Sequence, residues 1–395
     1  MSQDLKARLR RYRAKEKTSL SKEAPLPSVE HNSFLSGNLD NKWAGWVEVG
    51  FKTLKRAITV ELSFPFYHVF PPTMPILVPD FLRLGRIPAP ADLFFFDLET
   101  TGLSGGAGTV AFLAAFGRFD FPANAKPEGN AQLVITQYLL LDYPGECDFI
   151  TSVTSEINST PSSSSPVMVS YNGKSFDSQI LETRCLMNRF APPEYFHADL
   201  LHPARRLWKK ELSNCSQSTI EVSVLGLDRT GDVSGVMAPD IWFSFLRDNN
   251  NHDLLSICEH NVKDIIGLAS IFLALAEISS DPIGSRGKFR FNEESLAIYW
   301  WRMLKKLPPL FQDNESQKNH AKTGEMLLEK AAENGSIPAA IIFAKYAEWQ
   351  LADYALALRY TKLALANCMV EDNFRESLER RLSRLEKKII GFEKR

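Results

Sequence analysis

Residues 93–103, LFFFDLETTGL, set Asp97 and Glu99 two positions apart, with Leu98 between them, in an otherwise apolar run. The run is rich in strand-forming aromatics, and a strand turns alternate side chains to opposite faces. Asp97 and Glu99 therefore share one face, while Phe94, Phe96 and Leu98 fill the other. Two carboxylates side by side on a greasy strand are costly, because each resists desolvation and each repels the other. A divalent cation removes both penalties, since hard carboxylate oxygens are what Mg2+ or Mn2+ prefers. The alternative is a strand end at which both acids reach water.

The chain has 395 residues, long for one domain and natural for two or three. It is 44% hydrophobic and 24% charged, enough apolar content for a substantial core. Lys plus Arg number 46 against 47 Asp plus Glu, which excludes a polycation and leaves nucleic-acid binding to local basic patches. The five cysteines are scattered, with no CxxC pair or Cys/His metal spacing. Neither a disulfide framework nor a structural zinc site is expected, and the compartment reads as reducing and cytoplasmic. The basic N-terminus has no apolar stretch behind it, so it is not a secretory signal. Ile265 to Ala276 is too short an apolar run to span a bilayer and fits a buried helix; no membrane association is expected.

Four parts follow from the patterning. Residues 1–20 form a basic arm, with seven Lys/Arg against two acids in 1–17, read either as a solvated tail or as a contact to nucleic acid or a partner. Residues 21–84 are β-rich, with alternation over 43–63 giving two or three strands before a Pro-rich irregular stretch. Residues 85–280 alternate strands and helices, the signature of a mixed α/β domain, interrupted by the low-complexity loop SEINSTPSSSSP (155–166). Residues 281–395 are helical, and 339–366 pairs two amphipathic helices around a short turn, with Ala where helices approach closely.

Two further acids fall at telling places. A short strand from Val167 runs into the Asn172-Gly173 turn, and a helix begins near Ser175 with Asp177 in its first turn. The helix dipole makes an acid there ordinary, so Asp177 alone is either a helix-start residue or a ligand. In the helix 258–277, His260 and Asp264 are spaced i, i+4 and share a face that turns apolar at Leu268 and Ile271. A charged Asp on such a face should point into something polar.

Taken together, these elements resemble the DEDD-type 3′–5′ exonucleases of the ribonuclease H-like superfamily. That family carries a D-x-E strand, a later Asp at a helix start, and a final helix Asp preceded by His or Tyr. Asp97, Glu99, Asp177 and Asp264 occupy those positions here. More narrowly, DLETTGLSGGAGTVAFLAAFGRF, YNGKSFDSQILETR, HADLLHPARRLWKKEL and HNVKDIIGLASI resemble the bacterial YprB-like predicted exonucleases over roughly residues 90–277. The helical end resembles a degenerate tetratricopeptide repeat. The family His stands five residues before the last Asp and the family Tyr four before; here Glu259 is at five and His260 at four, the Tyr register filled by a His.

The resemblance implies an α/β, ribonuclease H-like mixed sheet flanked by helices, followed by a small all-α repeat domain. It implies hydrolysis of phosphodiester bonds in single-stranded nucleic acid, with two Mg2+ or Mn2+ ions about 3.5–4 Å apart. Asp97 would bridge both ions, Glu99 and Asp264 would complete the first, and Asp177 would hold the second. His260 would serve as general base or orient the attacking water, or do neither.

GLSGGAG (102–108) lacks the Gly-Lys-Ser/Thr ending of a phosphate loop and reads as a tight turn between the first two strands of the domain. Thr100 and Asn172, beside the acids, are candidate contacts to nucleic acid. So are Arg205, Arg206, Lys209 and Lys210, which fall on one broad helical face with Trp208 nearby. Such a stripe is either a phosphate-backbone contact with a stacking aromatic, or a solvated face with Trp208 buried. The rival function is a catalytically silent nucleic-acid-binding or scaffold protein whose helical C-terminal domain docks a protein partner. The charge-rich segment 371–389 would then serve docking, or else cap the repeat.

Overall fold

The computed structural model describes residues 43–65, 77–84, 86, 88–102, 106–120, 130–159, 165–249, 251–306, 314–368 and 375–393. The basic arm, the chain up to residue 42, the Pro-rich stretch 66–76 and the Ser-rich centre 160–164 lie outside the described residues. Among the described residues seven strands form one mixed sheet: β1 (Val47–Gly50), β2 (Thr53–Pro65), β3 (Leu93–Thr100), β4 (Ala111–Asp120), β5 (Asn130–Leu140), β6 (Val167–Ser170) and β7 (Phe196–Asp199). Their order is β1-β2-β5-β4-β3-β6-β7. Neighbours are antiparallel as far as β3, and β6 and β7 then join in parallel. Parallel neighbours need crossovers, supplied by α1 (Glu146–Asn158) ahead of β6 and α2 (Asp177–Met187) between β6 and β7. The strands expected over 43–63 are β1 and β2, and they continue the main sheet, with β2 paired along β5 from Thr53↔Leu140 to Pro65↔Asn130.

β3 is central and covered on both faces, so Leu93 to Phe96 are all buried. Its alternation sorts the aromatic rings. Phe94 and Phe96 meet Phe116 on one face, at ring-centre distances of 5.9 and 5.0 Å. Phe95 turns the other way, to Phe119 at 5.2 Å and Phe272 at 5.6 Å. Asp97 and Glu99 follow Phe95 in parity and so face the same helix, the one that carries Phe272.

The helices α3 (Leu201–Trp208), α4 (Gln217–Ser223) and α5 (Ala238–Asp248) lead to α6 (Asn251–Ser280). At 30 residues, α6 is about 45 Å long. It lies against the sheet where Gly117 leaves room: a β-carbon there would come within 2.5 Å of Ile265 Cγ2. The apolar run Ile265 to Ala276 is buried in the protein, apart from Ile266 at its edge. Among the described residues no helix is long and apolar enough to cross a membrane.

Among the described residues five α-helices follow: α7 (Glu293–Leu304), α8 (Asn314–Glu333), α9 (Ile337–Trp349), α10 (Tyr354–Asn367) and α11 (Arg375–Glu393). Each packs on the next, and α7 also packs on α3. The expected helix pair is α9 and α10, whose starts are capped by Ser336 and Asp353. Ala347 and Ala357 meet Leu385 of α11 in a small apolar cluster. Beside it Glu348, buried on α9, accepts hydrogen bonds from Arg381, Arg384 and Lys388 of α11. One continuous apolar core joins the sheet, α6 and α7 to α10.

Candidate functional site

β3 delivers Asp97 and Glu99 toward its C-terminal end, at the point where the parallel strands begin. Open sheets with parallel strands commonly place ligands beyond those strand ends. The chain leaving β6 turns sharply at Asn172, whose φ of 66° is left-handed and suits Asn. Gly173 follows, and a β-carbon on it would lie 2.5 Å from Ser170 Oγ and 3.0 Å from Asp177 Oδ2. Asp199, ending β7, ties this turn down. Its Oδ1 accepts from the backbone N–H of Asn172 (2.8 Å) and of Leu201 (3.0 Å), and its Oδ2 from that of Lys174 (3.1 Å). Asp177 therefore starts α2 as a buried carboxylate in a fixed position.

α6 supplies the other wall. One ligand atom each from Glu99, His260 and Asp264 lie within 4.8 Å of one another. His260 Nε2 is 3.2 Å from Asp264 Oδ2, as the i, i+4 spacing requires. Glu259, one residue earlier, points away and pairs with Arg56 at 2.8 Å. The register thus puts His260, and not Glu259, into the cluster.

The electrostatics are those of crowded acids. Burial, then the charge of Asp264, pushes Asp97 up to about 7, against an offsetting hydrogen bond from Asn261. Glu99 is held well above the ordinary carboxylate range by burial, then by Asp97, Asp264 and Asp177. Asp177 is raised strongly by burial, then by Asp97 and Asp199. Buried carboxylates that raise one another, with an imidazole among them, are a donor set of the kind a hard divalent cation takes. The residues fit such an ion.

A loop closes the cluster from the side of α4. Arg229 donates to Glu221 Oε2 (2.6 Å), Asp232 Oδ2 (2.7 Å) and Asp264 Oδ1 (2.6 Å). Asp232 Oδ2 also lies 2.9 Å from His260 Nδ1. Burial alone would raise Asp232, but its bonds to Arg229 and His260 win and hold it low. Gly267 makes room on α6 for Glu221, whose Oε1 stands where its β-carbon would be. Gly235 presses on the cluster itself: a β-carbon there would lie 3.0 Å from His260 Nε2 and 3.9 Å from Glu99 Oε1.

The four candidate acids and the histidine of the sequence thus converge. Of the candidate nucleic-acid contacts, Thr100 is buried and donates to the carbonyl of Gly102 (2.9 Å), while Asn172 is exposed on its turn. Arg205, Arg206, Lys209 and Lys210 are all exposed. Lys210 is paired with Glu294, and Arg206 lies over the Tyr299 ring. Trp208 is wholly buried and donates to the Arg290 carbonyl at 2.8 Å, so it is a core residue and no stacking platform. Sequence reasoning missed Asn261, Gln137, Arg229 and Asp232. Asn261 adjoins His260 and carried a weak signal; the charged loop around 228–232 carried none.

A profile of the RNase H superfamily matches residues 94–276. The protein YprB of Bacillus subtilis (strain 168) is 30% identical over 328 residues, which is 75% of this chain and 75% of that protein.

Proposed function

As the chain belongs to the YprB family of the RNase H superfamily, we propose that it is a metal-dependent exonuclease of the DEDD type, hydrolysing single-stranded nucleic acid from the 3′ end. The observation that carries this reading is the meeting of buried Glu99 and Asp177 with half-buried Asp97 and Asp264, with His260 at its edge. A catalytically silent fold has no physical reason to keep such a costly group.

Asp97, Glu99, Asp177 and Asp264 would hold Mg2+ or Mn2+, as two ions in the full reading. When bound, the ions neutralise charge at phosphorus and stabilise the attacking and leaving oxygens. The protein's own part is positional and protolytic. Asp232 holds His260 at Nδ1 and so turns Nε2 toward the cluster, where it can take a proton from the attacking water. Arg229 braces Asp264 and Asp232 together. Arg205 and Lys209, with Thr100 and Asn172, would hold the strand by its phosphates.

The test is incubation of the purified chain with 5′- and 3′-labelled, single- and double-stranded DNA and RNA, with Mg2+, Mn2+ or EDTA. Stepwise shortening of 5′-labelled single strands that EDTA abolishes is the expected result. Absence of cleavage of every substrate with either ion would end the proposal.

A further inference from the structure

A line of hydrogen bonds runs from the N-terminal hairpin to Asp97. Arg56 Nε donates to Gln137 Oε1 at 2.6 Å, across directly paired positions of β2 and β5. Gln137 Nε2 donates to Asn261 Oδ1 (2.7 Å) and to the carbonyl of Cys258 (2.9 Å). Asn261 Nδ2 donates to Asp97 Oδ2 at 2.7 Å. A guanidinium only donates and a carbonyl only accepts. Gln137 must therefore give its oxygen to Arg56 and its nitrogen to Cys258. Asn261 must then turn its oxygen to Gln137 and its nitrogen to Asp97. Both amides are fully buried, so a flip would set unpaired oxygens against each other with no solvent to relieve them. Arg56 is itself held, by Glu259 and by the Trp46 ring 4.8 Å away.

We propose that Arg56, Gln137 and Asn261 are positioning residues that fix the rotation of the Asp97 carboxylate, pinning Oδ2 with a donor so that Oδ1 is the oxygen left unengaged by the amide. This rests on Asp97 being a cation ligand. The β1–β2 hairpin thereby supplies one of the two groups that set the direction of the line, the Cys258 carbonyl being the other. Outer partners of this kind orient metal ligands and tune their affinity.

The test is the dissociation constant for Mn2+, read by electron paramagnetic resonance, alongside thermal unfolding. Gln137→Glu keeps the size and the bond to Arg56 but removes the donor to Asn261; Asn261→Ala removes the last link. Each is expected to weaken Mn2+ binding by about ten- to a hundredfold. The double variant is expected to be no weaker than Asn261→Ala alone, because both act through one bond. In turnover, kcat is expected to fall while KM for the oligonucleotide holds. Unchanged Mn2+ affinity in both single variants, or losses that simply add, would overturn the proposal. Should Gln137→Glu fail to fold, Asn261→Ala decides the relay. Arg56→Met leaves the buried amides intact and removes one of the two direction-setting groups; it is expected to weaken binding by about three- to tenfold, unchanged binding overturning the role given to Arg56. Asp97→Asn measured alongside separates the failures. If it binds Mn2+ like the parent, the cation reading falls and the relay with it; if it alone loses Mn2+, only the relay falls.

Discussion

Glu348 on α9 and Asp97 on β3 both carry a carboxylate out of water, yet the first meets three cations and the second meets other acids. Burial alone would raise Glu348, but hydrogen bonds from Arg384 and Lys388 and the charge of Arg381 overcome it and hold the group low. Asp97 has one amide donor against burial and the charge of Asp264, and it stands up to about 7. A buried charge whose partners come from the protein locks two helices together. A buried charge crowded by like charges reserves the position for a partner from solution.

Substitutions at the two sites should therefore separate activity from stability. The largest effect is expected in Asp97→Asn, which should lower Mn2+-dependent turnover of an end-labelled oligonucleotide by about a thousandfold or more, equivalent to about 4 kcal/mol. Glu348→Gln should turn over at the parental rate; equal losses in both would erase the distinction. Next, Glu348→Gln should lose about 2–3 kcal/mol in denaturant unfolding. That is below the full cost of breaking a buried pair, because Arg384 and Lys388 are partly exposed.

The third effect has the opposite sign. Asp97 is raised, so the folded metal-free protein keeps a proton that the unfolded chain releases. Its contribution to stability is highest below about pH 4 and is lost as pH rises toward 7. Asp97→Asn should therefore stabilise the metal-free chain by about 1–2 kcal/mol at pH 8, and not at pH 4, in paired melts. For Glu348 the direction reverses: its contribution is present above the ordinary carboxylate range and lost as pH falls through its lowered value. The smallest effect concerns the basic edge. Replacing Arg205, Arg206, Lys209 and Lys210 together with Ala should flatten the salt dependence of oligonucleotide binding by up to about two contacts, since Lys210 and Arg206 are already engaged within the protein. An unchanged slope would make that face merely solvated.

Which acids share a face was legible from two periods, and the resemblance to the exonuclease family joined them into one candidate site. Period two placed Asp97 with Glu99, and the i, i+4 spacing placed His260 with Asp264. The Asn-Gly turn made Asp177 a helix start. What bound these groups was not legible, since it depends on register and on loops. Arg56 and Gln137 look like ordinary polar strand residues until β2 and β5 pair them directly. Arg229 and Asp232 sit in a loop with no period, and only its path brings them to His260 and Asp264. Trp208 fitted either an exposed or a buried face, and its hydrogen bond to a distant carbonyl decided the matter. The hairpin's membership of the main sheet was hidden in the same way, because strand adjacency is written across the chain and not within any segment.

Gly235 is not among the residues with left-handed backbone, so it is the space in front of it, and not its backbone conformation, that calls for glycine. Its bare α-carbon looks straight onto His260 and Glu99. Position 235 is consequently a keyhole that only the bare glycine leaves open. The first carbon of any side chain there would already crowd the imidazole, so the glycine is what gives a substrate headroom over the acids.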